Sequence, residues 1–202
     1  AAVIWGSVVN SISVAGDWTA LNFISAQIEP DNGVALSKQL VYVIAFNEWS
    51  LEVFYDAGNA TGSPLGNVQG SKQSYGCANQ DSVQEIDDSL FWICTNKTNS
   101  LQIAQFTQLN TKFISTKAID RLLAAATLTG VDNIMSWQLK INGHSFYVIT
   151  IVTSNITLAY DIVEEQWSQW TDTSGNYLPY IAATYDSSNR HILQHATNDT
   201  LV

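Results

Sequence analysis

"FYVITIVTSNITLAYD", residues 146–161, is two apolar stretches separated by the polar bend Thr153-Ser154-Asn155. Aromatic and β-branched residues alternate on either side of the bend, which is the pattern of two half-buried strands and not of a helix. The same pattern recurs in "LVYVIAFNEWSLEVFYD" (40–56) and in "LFWICTNKTNSLQIAQF" (90–106). Laid over one another, the copies bring Tyr42, Trp92 and Tyr147 to one position. Leu51 with Val53, Leu101 with Ile103, and Leu158 with Tyr160 fall at another. The copies lie about fifty residues apart, a period typical of repeat architectures.

Each copy is preceded by another apolar run and a turn. Asn142-Gly143 is the strongest of these turns, because a two-residue hairpin turn of this type needs positive φ at both residues. Asp87-Asp88 and Ser37-Lys38 are read in the same place in the other copies. A short strand follows each copy, ending at Leu65/Val68, at Phe113 or at Trp167/Trp170. The unit is therefore four antiparallel strands. A meander of this size cannot bury both faces alone, and stacking such units radially gives a β-propeller. The fold class expected is all-β, a β-propeller-type repeat of four-stranded antiparallel blades. Blade-like units are placed at about 34–69, 83–115 and 137–170, with a partial unit from 181, so that 1–202 is a partial propeller. Unpaired edges at both ends point to a segment of a longer polypeptide, or to closure with other chains. A plain β-sandwich is the structural alternative.

One stretch breaks the strand pattern. In "STKAIDRLLAAATLTG" (115–130), Ile119, Leu122, Leu123 and Ala126 recur at helical spacing. Ser115 or Thr116 can cap the start and Gly130 can end it. A short helix is expected at about 116–128, helical at least from Lys117 to Ala125, covering the open end of a core in preference to binding a partner.

Composition limits the function classes. The chain has 202 residues, 46% hydrophobic and 13% charged, enough for a sizeable core. No run of 18 apolar residues occurs, so a soluble chain with no membrane partner is expected. The net charge is -10, and the eight Lys and Arg are scattered, which argues against a grip on nucleic-acid phosphates. Cys77 and Cys94 match no metal spacing and read as buried thiols, with a bridge between them the lesser alternative. Asn-x-Ser/Thr sequons at Asn59, Asn96, Asn155 and Asn198 are expected by chance in a chain so rich in these residues.

A search for chemistry returns no catalytic, cofactor-binding or metal-binding residue. His191 and His195 lie four apart in an expected strand and can share a face, but no third ligand is near in sequence. His144 follows the Asn-Gly turn and is read as bracing it. Asp87/Asp88 and Glu164/Glu165 are adjacent in turns, where acids are ordinarily solvated and not opposed across a pocket as a glycosidase requires. No nucleophile elbow, phosphate loop or dinucleotide fingerprint is present. The seven Trp and eight Tyr read mostly as core aromatics, with Trp167 and Trp170, three apart, facing opposite ways.

Five stretches in order carry a resemblance: "GDWTALNFISAQIEPDNGVAL" (16–36), "FNEWSLEVFYDAGNATGSPLGNVQGS" (46–71), "YGCANQDSVQEIDDSLFWI" (75–93), "FISTKAIDRLL" (113–123) and "GHSFYVITIVTSNITLAYDIVEEQWSQW" (143–170). Together they resemble the packaged-DNA stabilisation proteins of short-tailed bacteriophages, which are tail hub or nozzle proteins. The resemblance implies a β-propeller-containing virion protein, not an enzyme, assembled in the bacterial host cytoplasm. It implies six copies in a ring below the portal and its adaptor, with a tail needle or fibre as a further neighbour and passive contact with the phage DNA that leaves through the ring. A carbohydrate-binding or glycoside-hydrolysing propeller is the alternative from another class.

Overall fold

The computed structural model describes residues 2–7, 12–13, 15–26, 28–59, 61–129, 133–188 and 190–195. Gly130 and the sequon residue Asn198 lie outside them. The chain divides into two compact units, one made of Ala1–Cys77 with Cys94–Ser100 and the other of Ala78–Ile93 with Leu101–Val202.

In the first unit, β1 (Ala2–Trp5) and β2 (Phe23–Ala26) form a two-stranded antiparallel sheet. A four-stranded meander follows: β3 (Gly33–Gln39), β4 (Tyr42–Asn47), β5 (Leu51–Asp56) and β6 (Leu65–Asn67), neighbours in that order. Ile4 and Ala26 of the small sheet pack with Ala45 and Phe54 of the meander, burying one face of each. The two-residue strand β7 (Gly76–Cys77) runs close to the end of β4. A Cβ at Gly76 would lie 2.3 Å from the carbonyl oxygens of both Asn47 and Glu48, so only glycine fits there.

The hairpin between β3 and β4 corrects the sequence reading. Ser37 pairs with Ile44 and Lys38 with Val43, so both lie within the ladder. The turn is Leu40-Val41, closed by the pair Gln39↔Tyr42, with Leu40 at φ 55. A leucine in the left-handed region is uncommon, so Leu40-Val41 carries no turn signal. Counting from the turns, the residue equivalent to Trp92 and Tyr147 is Ala45 and not Tyr42.

The second unit holds most of the next sheet, with β8 (Gln84–Ile86), β9 (Ser89–Thr95), β10 (Gln102–Thr107) and β11 (Asn110–Phe113). The order is β11-β10-β9, with β8 and β7 sharing the far edge of β9. Next come α1 (Lys117–Ala125) and a sheet of β12 (Ile134–Ile141), β13 (His144–Ile151), β14 (Ile156–Asp161) and β15 (Gln166–Trp170) in consecutive order. A two-stranded sheet of β16 (Tyr180–Tyr185) and β17 (His191–His195) completes it. Asp87-Asp88 and Asn142-Gly143 are the expected turns, with all four residues at positive φ.

Strand alternation decides how these sheets stack. On β13, Tyr147, Ile149 and Ile151 face the cluster shared with Phe91, Ile93 and Ile103, whereas Val148 faces the opposite side with Trp137 and Ala159. Tyr180, Ala183 and Leu193 of β16 and β17 pack against that opposite side. The sheet β12–β15 is thus covered on both faces, and three sheets lie one upon another.

Helix α1 closes the first of these interfaces. The Thr116 hydroxyl accepts from the Ile119 amide at 3.4 Å, capping the start. Ile119 and Leu123 are buried in the cluster of Phe91 and Tyr147, while Leu122 of the same apolar stripe is only half-buried. Among the described residues no helix is long and apolar enough to cross a membrane.

Candidate functional site

The histidines and cysteines do not assemble a metal centre: among the described residues no group of three His, Cys, Asp or Glu could hold an ion. His191 Nε2 meets the Lys140 carbonyl oxygen at 2.7 Å and its ring lies 4.3 Å from that of Tyr185. His195 packs edge-on to Tyr180. His144 makes a hydrogen bond, but to Asp161 at 2.7 Å, so it ties the start of β13 to the end of β14 and does not brace the Asn-Gly turn. Burial opposes ionisation of Asp161, but the amides of Glu164 and Val163 together with His144 hold its carboxyl below the usual range.

The turn carboxylates are engaged singly by cations and do not oppose one another as acid and base. Asp87 binds the Lys140 ammonium. Glu165 binds Lys112 at 2.5 Å. Each lysine is pushed above its ordinary pKa by its partner, and Lys140 with Ser145 holds Asp87 below its own. In the first unit, Glu29 takes both Lys72 and Lys97, the latter at 2.7 Å, and the two ammonium groups lower its carboxyl to about 2. Lys117 pairs with Asp120 at 3.7 Å and Arg190 with Asp186 at 2.7 Å. Six of the eight cations, Lys72, Lys97, Lys112, Lys117, Lys140 and Arg190, are therefore engaged in ion pairs with five of the protein's own acids, Glu29 serving two of them. Only Lys38 and Arg121, both exposed, carry no ion pair among the described residues.

Sequence reasoning missed a second kind of carboxylate. Glu52 is 1% exposed on β5, where it accepts from the Ile28 amide at 2.9 Å and the Asn67 side chain at 3.1 Å. Burial pushes its pKa up, against those two hydrogen bonds. Asp31, also buried, accepts from the Trp49 amide and the Ser50 hydroxyl and so fixes the bend between β4 and β5. Both are structural acids that organise loops. The alternation of "LEVFYD" placed Glu52 at a polar position and carried no sign that a loop covers it.

Neither of two open clefts among the described residues offers the two opposed carboxylates of a glycosidase. One, of about 510 Å³, is lined by Val41, Tyr42, Tyr55 and Asn67 with Asp56 its one acid. The other, of about 530 Å³, contains Asp172, whose carboxylate is occupied by the amides of Ser174 and Asn176. The aromatics mostly build core: Trp92 and Tyr147 are fully buried, although Trp5 and Trp18 are about half exposed. Trp167 and Trp170 do face opposite ways, Trp167 against Tyr160 at 5.0 Å and Trp170 against Phe146 at 5.2 Å.

What the geometry does provide is rigidity between sheets. Tyr147 donates its hydroxyl to the Ser82 carbonyl at 2.7 Å, and Trp167 donates Nε1–H to the Ile114 carbonyl at 2.7 Å. Asn79 donates to the Leu128 carbonyl at 2.7 Å and Ser136 to the Asp81 carbonyl at 2.6 Å. With Lys112–Glu165 and Lys140–Asp87, these bonds join residues about one repeat apart, so neighbouring sheets are tied at several levels. Such an arrangement is suited to bearing load, and its surface chemistry is that of self-neutralised cations in an excess of acid.

A family model described as "Bacteriophage P22 Gp10, beta-propeller" matches residues 6–199. No curated protein matches the chain. The match covers nearly all of the sequence, and a β-propeller description agrees with the four-stranded antiparallel sheets. The chain therefore belongs to this phage stabilisation family of β-propeller proteins, and is a structural phage protein of the tail and DNA-stabilisation type.

Proposed function

We propose that this chain is part of the hub or nozzle of a short-tailed phage tail, where it walls the DNA-exit channel and helps to retain packaged DNA. In this reading the units at about 34–69, 83–115 and 137–170, with the partial unit from 181, are blades of one propeller. Six copies form a ring, assembled in the bacterial host cytoplasm, next to the portal adaptor and the tail needle or fibre. The chain acts without catalysis.

The observation that carries this reading is the pairing of the cations. A wall past which a genome slides must not hold it, and every Lys or Arg offered to a phosphate adds affinity by releasing counterions. With six of eight cations held by carboxylates and a net charge of -10, the chain presents little to phosphate and repels duplex DNA. The ties between sheets give the stiffness that a pressurised conduit needs.

The test has two parts. Electron microscopy of the chain in its assembled state should show a six-fold ring with an axial pore, and titration with duplex DNA at physiological salt should show no binding. A monomer with no tendency to form rings, or tight and salt-sensitive DNA binding, refutes the proposal. Binding of a soluble oligosaccharide in the Tyr42/Tyr55 cleft would favour the carbohydrate-binding alternative instead.

A further inference from the structure

We infer that Cys77 and Cys94 are a dithiol–disulfide couple, a redox-sensitive staple between β7 and β9. The two stand directly opposite each other in the antiparallel ladder. Gly76 pairs with Thr95, and the Ala78 amide donates to the Ile93 carbonyl at 2.9 Å. The cysteines thus occupy the non-hydrogen-bonded position between these pairs, where opposed Cα atoms come within ~4.5 Å and side chains leave the same face. That separation lies inside the ~4.4–6.8 Å spanned by disulfides. The Cβ atoms of such a pair are ~4.5–5.5 Å apart, wider than the ~3.8 Å mean of a disulfide. Closure therefore draws the strands together, and the strained bond that results is readily reduced.

The surroundings fix this juxtaposition. Strand β7 has two residues only, and Gly76 is wedged against the carbonyls of Asn47 and Glu48, so the segment cannot slide away from β9. Each cysteine is 2% exposed. A bulky disulfide reagent cannot reach them, but a small oxidant such as hydrogen peroxide can. One thiol sulfur attacks a peroxide oxygen; the S–O bond forms, the O–O bond breaks, and the departing hydroxide takes the thiol proton to leave as water. The second sulfur then attacks the sulfenic sulfur; the S–S bond forms, the S–O bond breaks, and hydroxide leaves with the second thiol proton as another water. Two thiols are oxidised and one peroxide is reduced to two waters. This chemistry is independent of assembly into a tail.

In the test, the reduced full chain is exposed to hydrogen peroxide, unfolded in guanidinium with a maleimide, and weighed intact. The expected product takes up no maleimide, has lost the mass of two hydrogens, and recovers both thiols when it is reduced with dithiothreitol in guanidinium. Proteolysis should release the Cys77 and Cys94 peptides joined. Two maleimides at unchanged mass, oxygen adducts on either cysteine, or a disulfide between two chains each overturn the inference. Cys77→Ser and Cys94→Ser should each abolish the mass loss and leave oxygen adducts on the remaining cysteine. Should these variants fail to fold, the wild-type chain oxidised in guanidinium is the comparison. The register predicts disulfide as the dominant native product and over-oxidised cysteine as a larger share of the unfolded one, and equal partition refutes it.

Discussion

Shortening Leu123 to alanine asks whether α1 belongs to the core or is a face kept for a partner. Leu123 is fully buried among Phe91, Ile103, Tyr147 and their neighbours, so the change removes its apolar contacts and leaves a cavity. Leu→Ala changes at such sites cost roughly 2.7–5 kcal/mol, the larger values where the surroundings cannot collapse. The helix has nine residues, fewer than the ~12–15 at which an isolated helix is even marginal. It exists because of the face it buries, and we expect about 3–5 kcal/mol for Leu123→Ala. Leu122, half-buried on the flank of the same cluster, should cost about 1–2 kcal/mol when shortened. For a chain of this length 1 kcal/mol shifts the melting temperature by roughly 2–4 °C. Thermal unfolding followed by circular dichroism should therefore separate the two variants by several degrees, with Leu123→Ala the lower. Equal melting temperatures, or a Leu123 variant as stable as the wild type, would show that the helix face is not part of the core.

Three further outcomes are expected. Tyr147→Phe removes the donor to the Ser82 carbonyl inside the core and should cost about 1–3 kcal/mol in urea titration, since a buried acceptor loses its partner; no change would mean that this tie between sheets bears no load. Glu29, lowered from 4.5 to about 2 by Lys72 and Lys97, contributes stability that is complete above pH 4.5 and is lost as pH falls toward 2. Glu29→Gln should flatten the stability–pH curve in that window, and an unchanged curve would remove the ion triad as its cause. Combining Asp87→Asn, Glu165→Gln and Asp186→Asn releases Lys140, Lys112 and Arg190 without touching a core residue. Electrophoretic retardation should then reveal DNA binding absent from the wild type, with a salt slope steeper by up to about 0.9 per cation that reaches a phosphate; a variant as inert as the wild type would refute the screening role of these acids.

The sequence showed most of the architecture where local chemistry was decisive. Asn142-Gly143 and Asp87-Asp88 were legible because such residues tolerate positive φ, and α1 because its apolar stripe and Thr116 cap are written in adjacent residues. The turn at Leu40-Val41 was not legible, because two apolar residues there look like more strand. That one miss displaced Tyr42 by three positions against Trp92 and Tyr147, and an odd displacement moves a residue to the other face of a sheet. The partners of Lys112 and Lys140 were equally hidden. Each finds its acid 53 residues away, a distance set by how sheets stack and not by any neighbouring residue.

That stacking by one repeat has a consequence for how the chain comes into being. The sheet that contains Phe91, Ile93 and Ile103 has all its strands by Phe113, but Tyr147, Ile149 and Leu158, which cover it, follow roughly 35–45 residues later. At a synthesis rate of ~5–20 residues per second, that apolar face stays wet on the ribosome for roughly 2–9 s, long enough for an exposed patch to find another nascent chain. Helix α1 is made first within that interval, and its Ile119 and Leu123 already belong to the same cluster. Before it becomes the wall of an interface, the helix can shield the growing edge of the protein.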